Sequence, residues 1–287
     1  RVAGFEVGHP HRAHAGGGQV VQLRIRHLLV HGGHAHHAAA AQPGQLPRHA
    51  ADAAGGAVAW FCGAEVKPLA YAGVFVFVIA GWTVSLCLHE FGHAYTAWRF
   101  GDRDVELRGY LTLNPAKYAS PLLSLGLPAL FIALGGIGLP GGAVYVRTEY
   151  MTPRQRTLVS LAGPFANLVL AIVLLVATAT LFDSDHPIFW AGLAFLGFLQ
   201  VTALFLNMLP IPGLDGYGAL EPHLSPDTQR ALLPARQWGF LLLMLLLIVP
   251  ELNRLFFNVV YSAVSLTGVP PRLAMIGSAL TRFWSAW

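Results

Sequence analysis

The sequence predicts an α-helical protein that crosses a membrane about four to six times, with runs of the roughly 20 apolar residues a spanning helix needs. Three observations carry that prediction. Only 11% of the 287 residues are charged, against about 25% in soluble domains. Hydrophobic residues make up 55% of the chain, and its mean hydropathy is +0.55. Apolar runs also reach spanning length: Pro68 to Leu88 contains no charged residue.

Residues 1–56 stand apart. Nine of the thirteen histidines lie there, among Ala, Gly, Arg and Pro, with neither helical nor strand periodicity. Such a stretch is expected to be a disordered tail, with a metal-binding histidine tract as the functional alternative. It shows no signal-peptide pattern.

Four runs beyond it are candidate spans: Leu69–Trp98, Thr157–Phe182, Ile188–Leu209 and the shorter Trp238–Val249. Asn253–Leu266 is a weaker fifth that spans or lies at the interface. Between the first two, residues 120–142 are apolar but broken by Pro121, Pro128, Gly135, Gly136, Gly138 and Pro140. That punctuation suits a re-entrant or irregular segment.

Charge at the ends of the runs gives orientation. Arg99, Arg103, Arg108 and Lys117 follow the first span, Arg154 and Arg156 precede the second, and Arg230 and Arg236 follow the third. The loop "DSDHP" (183–187) has two aspartates and no Lys or Arg. All basic loops share one face, expected to be cytoplasmic, provided that 120–142 does not cross once. The net charge of +4 without a basic run is topology bias and argues against nucleic-acid binding. Cys62 and Cys87 match no metal or disulfide pattern, and Cys87 is expected to pack as a small hydrophobe.

Inside the first span lies His89-Glu90-Phe91-Gly92-His93, an HExxH. Histidines at i and i+4 share a helix face and can bind one Zn²⁺, with Glu90 beside it to take a proton. Ionisable residues are costly in a membrane, which makes chance a poor explanation. A catalytic zinc takes three protein ligands and an open position. Asp215 in "NMLPIPGLDGYG" (207–218) is the first charge after Pro187 and sits where the third span ends. Pro210, Pro212, Gly213 and Gly216 let the chain turn there. Locally it also suits an ordinary loop aspartate, but depth and the missing ligand favour the metal.

At 1.5 Å per residue, His93 and His89 lie about 9 and 15 Å inside the helix end at Arg99, and Asn167 about 16 Å in from Arg156. Asn167 therefore reaches the metal's level. It either bonds a substrate backbone or developing oxyanion, or joins helices beside the small Gly163; the sequence leaves both open. Gly92 is expected to admit a neighbouring helix, Phe91 to pack, and Asn207 to support the turn before Asp215. His186 is expected to be solvated, and His223 to have no role.

HEFGH in one span, AGPxxN (162–167) in the next and NxxPxPxxDG (207–216) closing the third resemble the site-2 protease family of intramembrane zinc metalloproteases. The resemblance covers roughly residues 70–220 and is specific in the three motifs jointly and in their order. It implies one Zn²⁺ held by His89, His93 and Asp215, with Glu90 as catalytic base. It implies cleavage of a peptide bond within or beside a transmembrane segment of a membrane-protein substrate. The enzyme would be integral to the cell membrane, its active site facing the cytoplasm. Residues 57–287 would form the membrane-embedded metalloprotease domain, a minimal form without PDZ or CBS domain. Residues from 101 to about 146 would form a membrane-associated β-hairpin or re-entrant element. The family usually adds a span ahead of the HExxH helix, where this chain has its polar tail. Two alternatives remain: a zinc-binding scaffold without catalysis, and, less well supported by the apolar outer halves of the spans, a metal-ion transporter.

Overall fold

The computed structural model describes residues 68–117 and 145–282. The polar tail, Cys62 and the Pro/Gly-broken segment 120–142 lie outside the described residues, as does most of the expected hairpin.

Three long helices form the centre: α1 (Pro68–Arg99), α3 (Pro153–Leu181) and α4 (Pro187–Asn207). The short α2 (Asp104–Leu107) follows α1. Beyond α4 come α5 (Asp215–Leu220), α6 (Pro226–Leu232), α7 (Gly239–Ile248), α8 (Pro250–Leu266) and α9 (Pro271–Leu280). No strand occurs among the described residues. Among the described residues, four stretches are long and apolar enough to cross a membrane, the fourth being Pro226–Ile248. There are five if α8 and α9, bent by 113°, make one broken span. The chain is thus a polytopic helical membrane protein, with boundaries close to those its apolar runs define.

Local signals set the helix ends. α1 stops at Gly101, whose φ of +104° costs a residue without Cβ little. Asp102 N–H donates to Ala97 O and Gly101 N–H to Trp98 O, both at 3.1 Å, the Schellman closure. α3 opens with a capping box: Thr152 Oγ1 accepts from Gln155 N–H, and Thr152 N–H donates to Gln155 Oε1. α4 opens at the acidic loop, where Asp183 accepts from the His186 backbone and from the Trp190 indole.

α4 is the most enclosed helix, with 72% of its most apolar stretch buried, against 11% for Pro226–Ile248. Its Phe195, Leu199 and Leu206 meet Val78 of α1, Leu175 of α3, Val260 and Val264 of α8 and Leu280 of α9 in one core. Gly277 of α9 packs so close to Ala191 that an added Cβ would meet the Ala191 carbonyl. By contrast, Phe240, Leu241, Leu242, Leu245 and Ile248 of α7 are exposed. An apolar face without protein cover suits lipid, where only the backbone needs internal partners.

α1 and α3 run antiparallel. His93 touches Val159 while His89 touches Asn167, so the C-terminal end of α1 and the N-terminal end of α3 lie together. The described ends of the connection between them meet there, where Arg147 N–H donates to Asp102 Oδ2 at 2.7 Å.

Candidate metal centre

α1 carries His89, Glu90 and His93 into the bundle, all buried. α3 faces them with a stripe of one residue per turn: Val159, Gly163 and Asn167. The Val159 carbonyl lies 2.7 Å from His93 Nδ1, and Asn167 Oδ1 lies 2.5 Å from His89 Nδ1. A carbonyl oxygen only accepts, so each Nδ1 carries the proton and each Nε2 offers a lone pair. Gly163, between them, leaves the rings their space. A Cβ there would fall against His93 Nε2 and 2.6 Å from His89 Nε2. Gly92 does the same for the helix axes: its Cβ would stand 2.8 Å from the Ala162 carbonyl. Phe91 turns away and stacks on Tyr95.

Asp215 arrives from beyond α4. Leu214 N–H donates to Ile211 O at 3.0 Å, and Gly213 at the third position has φ +101°, the geometry of a type II turn with Pro212 second. Gly216 lies flat against the end of α4, where a Cβ would be 2.7 Å from the Leu209 carbonyl. The turn and this close contact carry Asp215, first residue of α5, back to the histidines. Its Oδ2 is 3.2 Å from His89 Nε2 and its Oδ1 3.3 Å from His93 Nε2.

The donor atoms of His89, His93 and Asp215 lie within 4.8 Å of one another. The two Nε2 atoms are 3.1 Å apart, and Asp215 Oδ2 is buried without a hydrogen-bond donor. Three side chains that each offer a lone pair to one point suit a cation. Two nitrogens and a carboxylate oxygen, with a fourth side open, fit zinc.

The site opens on a cavity of about 520 Å³. Its wall includes His89, Glu90, His93, Asn167, Asn207 and Asp215, all singled out in the sequence, and also Trp82, Ser85, Arg236 and Phe240. His186 pairs with Asp183 in the acidic loop. His223, expected to be idle, meets Thr157 at 2.8 Å, and the same hydroxyl donates to the Ala219 carbonyl; this ties α3 to the segment after Asp215. Cys87 is buried and free. Gln200, which sequence reasoning passed over, is fully buried and bonds to both Ser85 and Asn167. Its signal was available as an amide within an apolar span.

Residues 77–186 match Peptidase family M50. The chain is 67% identical over 238 residues to a protein of Mycolicibacterium smegmatis named as the zinc metalloprotease Rip2, covering 83% of this chain and 92% of that protein. The Rip2 of Mycobacterium tuberculosis strain H37Rv is 68% identical, over 82% of this chain and 91% of the relative. The zinc metalloprotease YwhC of Bacillus subtilis is 32% identical, over 58% of this chain and 78% of the relative. No solved structure matches. With the metal-binding geometry and these likenesses together, the chain belongs to peptidase family M50, the site-2 protease family of zinc metalloproteases.

Proposed function

We propose that the protein is an intramembrane protease that hydrolyses peptide bonds within or next to transmembrane segments of membrane-protein substrates. The observation that carries this reading is the convergence of His89, His93 and Asp215 beside Glu90 on a cavity walled by spanning helices. A helical peptide in lipid is dry and hydrogen-bonded, so hydrolysis there needs a protein-lined pocket that admits water. His89, His93 and Asp215 would hold the metal, which when bound would supply a Lewis acid able to activate water and polarise a carbonyl. Glu90, buried on the cavity wall, takes the water's proton and returns it to the leaving amine. Asn167 orients His89; both ends of its amide are engaged inside the bundle, which favours the helix-joining role over direct contact with substrate. Residues 57–287 constitute the catalytic domain and 1–56 a separate tail. The enzyme sits in the cell membrane, its metal at the basic end of the bundle, facing the cytoplasm.

The test is Glu90→Gln in purified chain reconstituted with a single-span substrate. Zinc content should remain that of the wild type, while cleavage falls by about 10²–10⁴-fold, the usual contribution of a general base. Wild-type cleavage in E90Q would remove the base assignment. Zinc without cleavage in the wild type itself, across several substrates, would favour a scaffold.

A further inference from the structure

We propose that Gln200 is a positioning residue of the metal centre, acting through Asn167 on His89. The proposal rests on the metal-centre reading and extends it one layer outward.

Gln200 lies midway along α4 and is fully buried. Its Oε1 accepts from Asn167 Nδ2 at 2.8 Å and from the Ser85 hydroxyl. Asn167 Nδ2 also reaches Ser85 Oγ at 3.4 Å. Gln200 Nε2, equally buried, has no hydrogen-bond partner among the described residues. A buried unpaired amide end costs about 1–3 kcal/mol. In an α4 otherwise packed from Phe195 and Leu199, an aliphatic side chain would avoid that cost. What Gln200 contributes is therefore its oxygen.

That oxygen has a definite effect. An asparagine amide has a donor and an acceptor end, and its neighbours decide which way it faces. With Oε1 of Gln200 on one side, Asn167 turns its Nδ2 towards α4 and its Oδ1 towards His89. Oδ1 then takes the Nδ1 proton of His89 in a hydrogen bond, so Nε2 presents a lone pair to Asp215 and His93. If Asn167 were reversed, its NH₂ would face Nδ1. The ring would then prefer its proton on Nε2, directed into the donor cluster. One helix thus holds the ligand, a second the orienting amide, and a third the group that orients the amide. Partners of this kind govern affinity as well as geometry. His93 needs no such relay because its partner, the Val159 carbonyl, has a single polarity.

The experiment measures Zn²⁺ affinity of the full chain in detergent by competition with a chromophoric chelator, with thermal melts as folding control. Co²⁺ absorption reports ligand geometry. Gln200→Met keeps length and removes the acceptor; Gln200→Glu keeps an acceptor oxygen of the same shape. Gln200→Met should bind zinc about 10–100-fold more weakly, the usual cost of losing an orienting partner, with an altered cobalt spectrum. Gln200→Glu should stay near wild type, and Asn167→Ala combined with Gln200→Met should be no weaker than Asn167→Ala alone. If Gln200→Met does not fold, Gln200→Ser, too short to reach Asn167, should show the same loss. Wild-type affinity in the folded acceptor-free variant, equal weakening in Gln200→Glu, or additive losses in the double variant would each overturn the role. Absence of zinc from folded wild type would instead overturn the metal-centre reading beneath it.

Discussion

Gly163 shows how one missing methyl group can decide whether a site exists. It occupies the turn of α3 that faces both imidazoles, and any Cβ there enters the space of the two Nε2 atoms. The contact is with ring atoms already held at Nδ1 by Val159 and Asn167, so the rings cannot yield without losing those bonds. Gly163→Ala should therefore lower zinc affinity by at least about tenfold, the range seen when ligand orientation is disturbed, while leaving the helices folded. Chelator competition and far-UV circular dichroism would measure the two effects; unchanged affinity would mean that the α1–α3 spacing is wrong. Asp215→Ala should leave zinc content well below one per chain, because two histidines alone do not complete the set. The glycine in AGPxxN was legible in the sequence only as a site of close approach. That the approaching groups were His89 and His93 required knowing how α3 is rotated.

Among the elements, α4 joins the acidic loop to the cavity, and its start makes a pH prediction. Asp183 accepts hydrogen bonds from the Trp190 indole and from the His186 side chain and backbone. These bonds, the indole's first, lower its carboxyl from the usual 3.8 to about 2. A carboxylate depressed on folding stabilises the folded form above its unfolded pKa, and that contribution is lost as pH falls through the folded value. The contact should thus persist through pH 4 and fail only as the pH approaches about 2. The indole N–H resonance of Trp190, followed on acid titration, checks this; a midpoint near 3.8 would contradict it. The charge pattern marked this loop as the outward one, but not the hydrogen bonds by which Asp183 holds the start of α4. Those depend on the turn that brings Asp183 back over Trp190, which composition does not express.

Taken together, the helices place chemistry at one end of the bundle. Antiparallel α1 and α3 put Arg99, Arg154 and Arg156 at the end near the metal site, and the return of α4 brings Arg236 to the cavity wall. Asp183 and Asp185 stand at the other. If the basic end faces the cytoplasm, single cysteines at 184 and 230 in a Cys-free chain should label from opposite sides of intact cells. Residue 184 should react with an impermeant maleimide added outside, and 230 only after permeabilisation. Labelling of both from one side would mean an even number of crossings between them, and so would contradict a single crossing by α4. Arg236 also reaches Glu221 (2.5 Å), which lies 3.9 Å from Arg156, so the mouth of the cavity is bordered by a small ion-pair network.

Local chemistry sufficed for much of this protein. Apolar runs of spanning length set the helices, HExxH put two imidazoles on one face, and the prolines and glycines of 207–216 announced the turn that returns Asp215. Each of these depends on residues close in the chain, through helical periodicity or backbone restriction. Other features had no local signature: the rotation of α3 that aligns Val159, Gly163 and Asn167 with the histidines, the burial of Gln200 behind Asn167, and the link from His223 to Thr157. They arise where helices far apart in sequence meet. There the partner of each polar group is chosen by packing among spans, and in a medium without water that choice must be satisfied inside the bundle.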